Sequence, residues 1–149
     1  MLEFICLSLK NNSNFNLFYT DTDSIYIDKP LNKSLVNSKV LGKMKLENIL
    51  NKAIFISPKV YCLETIDGNV IYKVKGLSHD IKLTMKDFEF LLFKDNFLEK
   101  VQTKWTKNLS EGHIKVLEQM YTLKVTDNKR ELIFENNKLT NTIPLRIDK

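Results

Sequence analysis

The stretch FYTDTDSIYIDKP, residues 18–30, constrains the fold of this chain more than any other, because it alternates like a β-strand yet sets Asp21 and Asp23 in its middle. Residues two apart on a strand share a face, so two such carboxylates would project together and concentrate negative charge. A cationic partner is expected there. The pattern reads as a hairpin: a short strand over residues 15–19, a tight turn over 20–22, and a second strand over 24–28 that Pro30 ends. Two readings of the aspartates stay open. They are turn formers whose side chains bond back to their own backbone, or they are ligands for a hard divalent cation such as Mg²⁺, which prefers carboxylate oxygens and keeps waters for substrate phosphates to replace.

The rest of the chain is mostly extended. Residues 31–44 are polar, contain Gly42 and read as a connection, while 45–50 is ambiguous between strand and helix. Strands are expected over 53–57, 59–66 and 70–75, with Pro58 separating the first two and Asp67-Gly68 turning between the last two. Thr84 followed by Asp87 has the form of a capping box, and Met85, Phe88, Leu91 and Leu92 recur at helical spacing, so a helix is expected over about 85–94. Its apolar stripe is core. Beyond it, Val101, Thr103 and Trp105 alternate with Gln102, Lys104 and Thr106, and residues 114–126 and 130–134 also read as extended. Turns are expected at 110–112, at Asp127-Asn128 and at Asn136-Asn137.

Charge is distributed unevenly. Of 23 Lys and Arg and 18 Asp and Glu, residues 1–28 hold one base, Lys10, against Glu3, Asp21, Asp23 and Asp28, so residues 29–149 carry a net charge of +8. Such a body has the electrostatic footprint of a nucleic-acid binder, although a lysine-rich solvated face looks the same. Only Arg130 and Arg146 are arginines. Lysine suits phosphate contact as a point charge, whereas bidentate base reading prefers arginine, so backbone tracking fits better than sequence readout. With 149 residues, 43% of them hydrophobic, the chain is long enough for one cored domain or two small lobes. No apolar run is long enough for a transmembrane helix and no secretory signal opens the chain, so a soluble protein without a membrane role is expected. Cys6 and Cys62 are too few for a disulfide framework or zinc cluster and read as buried thiols in a reducing compartment.

Taken whole, YTDTDSIYID resembles the YxDTDS signature of the palm domain of family-B DNA polymerases. Pro58 to Tyr61, PKVY, resembles the K-x-Y motif of the same family. YKVKGLSHDIKLTMKDFEFLL resembles the palm-to-thumb passage of its protein-primed branch, found in fungal mitochondrial linear plasmids and some viruses, and NKRELIFENNKL resembles the thumb of the mitochondrial plasmid enzymes. The resemblance is collinear and runs from about residue 14 onward. It implies an α+β fold: an antiparallel β palm subdomain with a metal-carrying hairpin, over residues 1–76, then a small β-rich thumb with one short helix, over 77–149. It implies DNA-directed nucleotidyl transfer to a primer 3′-hydroxyl by a two-metal mechanism in a mitochondrion.

By resemblance Asp23 is the metal-ligating catalytic aspartate and Asp21 its companion of lesser weight, while Tyr19, Thr22 and Ser24 shape the hairpin. Lys59 and Tyr61 match the contacts to the primer strand. Lys73 and Lys75, alternating on one strand face, are either further phosphate contacts or a solvated face. His79 and His113 lack partners at metal-site spacing. The implied partners are primer-template DNA, a deoxynucleoside triphosphate, and a terminal protein or the missing N-terminal polymerase part. The family's upstream D-x-x-S-L-Y-P-like aspartate motif and lysine-bearing fingers helix are absent from this sequence. The chain is therefore expected to be a C-terminal polymerase piece, inactive alone, with an incomplete Mg²⁺ site, from a split gene or a degenerate remnant. A non-catalytic DNA-binding module is the alternative.

Overall fold

The computed structural model describes residues 15–126 and 130–144; Cys6, Arg146 and the Asp127-Asn128 turn lie outside the described residues. The chain divides into two compact units, Met1–Leu50 and Asn51–Lys149.

In the first unit, β1 (Leu17–Asp21) and β2 (Ser24–Ile27) form an antiparallel two-stranded sheet in which Tyr19 pairs with Tyr26, Thr20 with Ile25, and Asp21 with Ser24. The expected hairpin is present, but its turn is not at residues 20–22. The chain reverses at Thr22 and Asp23, because Thr22 takes a positive φ of 53° and leaves Asp21 as the last paired residue of β1. A positive-φ corner suits the right-handed twist of a two-residue hairpin loop. Asp21 therefore ends a strand and Asp23 is a turn corner, which corrects the expectation that both carboxylates share one strand face. Beyond β2, a 3₁₀ turn at Lys33–Leu35 is capped by the Asn32 side chain, which accepts from the Ser34 amide. Val36 and Met44 form a bridge that closes the loop between them. Residues 45–49 are neither strand nor helix.

The second unit holds the core. Strands β3 (Leu50–Ser57), β4 (Val60–Thr65) and β5 (Val70–Val74) make a three-stranded sheet in that order, with β4 and β5 antiparallel. One face of this sheet, carrying Ile54, Ile56, Val60 and Cys62, packs with Leu83, Met85, Phe88, Leu91 and Leu123. Phe88 and Leu91 are wholly buried on helix α1 (Met85–Leu91). The expected capping box is formed: Thr84 Oγ1 accepts from the Asp87 amide, and the Asp87 carboxylate accepts from the Thr84 amide at 2.7 Å. The helix stops three residues earlier than expected. After Leu91 the backbone turns to other partners: the Lys94 amide donates to Asn137, the Leu139 amide donates to Leu92, and the Asn96 side chain covers the Phe90 carbonyl.

Two further antiparallel ribbons complete this unit. β6 (Phe97–Asn108) and β7 (His113–Lys124) pair over twelve residues each. β8 (Arg130–Glu135) and β9 (Lys138–Pro144) turn at Asn136 and Asn137, whose φ values of 50° and 63° are those a two-asparagine hairpin corner tolerates. β9 was not expected from the sequence. The described chain is thus mostly antiparallel β with one helix, consistent with the α+β class. The expected division after residue 76 falls inside the second unit, where Lys75, Gly76 and Ser78 are hydrogen-bonded to the β6–β7 ribbon. No helix among the described residues is long and apolar enough to cross a membrane.

Candidate functional site

At the β1–β2 apex, a two-residue turn holds both carboxylates at one end of the ribbon. Asp21 is half-buried and Asp23 exposed. Thr22 Oγ1 donates to Asp21 Oδ1 at 3.3 Å, and Ser24 Oγ donates to the Asp21 carbonyl at 3.0 Å. The Tyr19 and Tyr26 rings lie side by side across the strands, centroids 5.7 Å apart and tilted by 54°. These contacts place Tyr19, Thr22 and Ser24 at the hairpin. A β-branched residue at positive φ is a backbone outlier, costing roughly 1–3 kcal/mol, and such strain concentrates at functional sites.

The donor chemistry of the apex fits a hard cation, since carboxylate oxygens are what Mg²⁺ and Ca²⁺ select. The donor number does not complete a site: among the described residues no three His, Cys, Asp or Glu side chains are grouped to hold a metal. The third acid of the motif, Asp28, is engaged elsewhere. Its carboxylate accepts from the Asn16 amide at 2.7 Å and from the Asn16 side chain at 2.8 Å, closing the open end of the ribbon. The Asn16 backbone bond, helped by its side-chain bond, holds the Asp28 carboxyl below its ordinary 3.8 although desolvation opposes it.

The second unit gathers the expected lysines. Pro58 and Lys59 form the two-residue turn between β3 and β4, with Pro58 pre-setting one corner and Lys59 adopting φ 63° at the other. The Lys75 amide donates to the Lys59 carbonyl at 3.0 Å, and Lys73 pairs with Tyr61. Lys59, Lys73 and Lys75 are exposed at this end of the β4–β5 pair. Tyr61 differs from them: it is only 4% exposed, and its ring is tilted against Phe55 at 5.9 Å. Its visible work is to fix the strand that follows Lys59.

Cys62 is fully buried and its thiol is pushed up to about 11 by desolvation, which makes it an unreactive core residue as expected. His113 Nε2 lies 3.3 Å from Glu111 Oε2 at the β6–β7 turn, and His79 is exposed on the segment after β5. The sequence reading missed the closing role of Asp28 and the buried amide of Gln102. Asp28 sits twelve residues from Asn16, a spacing that reads as a contact only once the hairpin register is known.

No protein-family model and no solved structure matches this chain. Curated relatives do. It is 34% identical over 138 residues to a probable DNA polymerase of Ascobolus immersus and 37% identical over 140 residues to one of Podospora anserina, matches that take in 89% and 88% of this chain. A probable DNA polymerase of Neurospora intermedia is 40% identical over 101 residues. The chain spans about a tenth of the length of these relatives, 11%, 11% and 10%. Over nearly all of its length, then, this chain is similar to one segment of fungal probable DNA polymerases, which bears out the resemblance to a DNA polymerase carried by its motifs.

Proposed function

We propose that this chain is the segment of a protein-primed family-B DNA polymerase that carries the second half of the palm, residues 1–76, and the thumb, residues 77–149, and that it acts in replication of a mitochondrial plasmid-type genome. The observation that carries the reading is the DTDS hairpin, whose strained Thr22-Asp23 turn brings two carboxylates to one apex. Asp23 and Asp21 would hold the divalent metals, together with a further carboxylate. The chemistry supplied by two bound Mg²⁺ ions is electrostatic stabilisation of the charge that develops on the transferring phosphoryl group and the leaving pyrophosphate. What the protein contributes is position: a rigid turn for the carboxylates, and Lys59, Lys73 and Lys75 along the primer-strand phosphates. Tyr61, buried against Phe55, anchors the strand that follows Lys59.

A second reading, a DNA-binding module without catalysis, is favoured by the net +8 over residues 29–149. Reconstitution with an upstream palm and fingers segment, in trans or by fusion, separates the two. In the reconstituted enzyme Asp23→Asn should lower single-turnover incorporation by at least ~10²-fold, because it removes a group whose work is done in the transition state, with primer binding unchanged. Lys59→Ala should weaken primer-template binding and leave the chemical step near wild type. Alone, the chain should bind DNA without sequence preference and with affinity falling steeply in salt. An Asp23→Asn enzyme that incorporates at the wild-type rate would reduce the DTD hairpin to a turn.

A further inference from the structure

The long ribbon leaves the core behind after half its length. Its last six pairs, Thr103 with Glu118 through Asn108 with His113, contain no buried residue. That is a free two-stranded arm of about 20 Å, whose direction is fixed at its base. At the base, the inward face packs Leu98, Leu123 and Tyr121 on the core, and its last covered residue is Gln102, 3% exposed. Both ends of that amide are engaged: the Ser78 amide donates to Oε1 at 2.8 Å, and Nε2 donates to the Gly76 carbonyl at 3.1 Å. On the same face the Tyr121 hydroxyl donates to the Lys75 carbonyl at 2.7 Å. Gly76, at φ +86°, brings its backbone against the Tyr121 ring, where an added Cβ would sit 3.5 Å from Cε2. Two side chains of the ribbon thus hold three backbone groups of the segment that continues β5, the strand of Lys73.

We infer that Gln102 and Tyr121 are positioning residues that lock the free arm at one angle to the sheet carrying Lys59, Lys73 and Lys75. A side chain that donates and accepts at once fixes a separation and an orientation together, which apolar contact at Leu98 and Leu123 does not. The arm exposes Trp105, 74% accessible, with Lys107 on the same face of the ribbon, a base-stacking and phosphate pair, while Lys104 and Lys115 lie on the opposite face. With the angle fixed, arm and sheet lysines engage one duplex; this last step rests on the proposed DNA binding, whereas the angle does not.

The angle is read by time-resolved energy transfer from Trp105, the single tryptophan, to a dye on Asp67→Cys at the β4–β5 turn, in a Cys6→Ser background. One narrow distance is expected for the wild type. Gln102→Met with Tyr121→Phe should at least double the width of the distribution and speed Ser78 amide exchange at least tenfold. Tyr121→Phe alone, which keeps the ring, should give a smaller broadening in a chain that still melts cooperatively. An unchanged distribution in both variants overturns the inference. With DNA, lengthening the duplex until it reaches the arm should tighten wild-type binding several-fold and the double variant far less, at equal short-duplex affinity. Failure of the wild type to bind DNA would count against the polymerase reading alone, because the energy-transfer result stands without DNA.

Discussion

The β1–β2 and β6–β7 ribbons are both two-stranded and both largely exposed, yet they are closed in opposite ways. The short one is held at its open end by an exposed, ionised carboxylate, Asp28, accepting twice from Asn16. The long one is held by a buried neutral amide, Gln102, and a tyrosine hydroxyl. A two-stranded hairpin is marginal in water, so each needs its closure. In solvent, charge is what makes a hydrogen bond strong; beneath the surface a charge is costly to bury and a neutral group with both ends satisfied is favoured. The consequence differs too. A charged clamp titrates, and a buried amide does not.

The largest effect expected from breaking this contrast is in the core that carries the long ribbon. Phe88→Ala removes a fully buried ring that packs with Leu123 at the base of β7 and should cost roughly 3–5 kcal/mol in denaturant unfolding. Amides at the base of β6–β7 should lose exchange protection in step, while that of the Asn16 amide, set by Asp28, should not follow. Equal loss at both ribbons would mean that the short one also depends on this core.

A smaller effect, confined to the short ribbon, comes from acid. The folded pKa of Asp28 lies below the ordinary 3.8, so the closure contributes fully above that value and is lost as pH falls through the folded pKa. Asn16 amide resonances should therefore titrate below about pH 4, whereas the Gln102 side-chain amide, which donates to the Gly76 carbonyl, should show no matching step. Asp28→Asn should abolish the Asn16 titration. A wild-type Asn16 signal that is flat down to the lowest pH would separate the carboxylate from the closure.

Sequence alone made the elements with local signatures legible. The capping box at Thr84 and Asp87, the Asp67-Gly68 turn and the Asn136-Asn137 corner each carry their physics within a few residues, and each is found. The DTD turn was legible as a turn but not in its register, because T-D-T-D offers several successive corners and only the backbone fixes which residue takes positive φ. β9 escaped because its alternation is mostly polar and ends in Pro144, which lacks the donor of a regular ladder. Gln102 escaped for the opposite reason: in an alternating strand a glutamine reads as a solvated position, and only the return of residues 76–78 over the ribbon buries it. The division at Leu50 had no composition signal near it; the charge asymmetry begins some twenty residues earlier. Of the candidate site, the hairpin was legible and its geometry was not. The aspartates lie on a strand end and a corner, and Tyr61 is under the sheet surface rather than on it.

The smallest expected effect compares the two turns directly. The long ribbon turns through Gly112 at φ 64°, the residue type that pays no steric penalty there, while the short one uses Thr22 at φ 53°. Gly112→Ala should therefore destabilise by roughly 1–2 kcal/mol, since it introduces a Cβ into the left-handed region without gain. Thr22→Gly should do almost nothing to stability: relief of a β-branched side chain at positive φ is offset by the extra freedom of glycine in the unfolded chain and by loss of the Thr22 bond to Asp21, leaving a net change within about 1 kcal/mol. Its effect should appear instead in the reconstituted enzyme, where a looser corner leaves Asp21 and Asp23 less well oriented and lowers single-turnover incorporation by about tenfold or more, with primer affinity unchanged. That split, a stability change too small to notice beside a rate change that is not, is what strain kept for function predicts. Thr22→Gly that raises stability and leaves incorporation untouched would show the threonine to be a tolerated corner residue and nothing more.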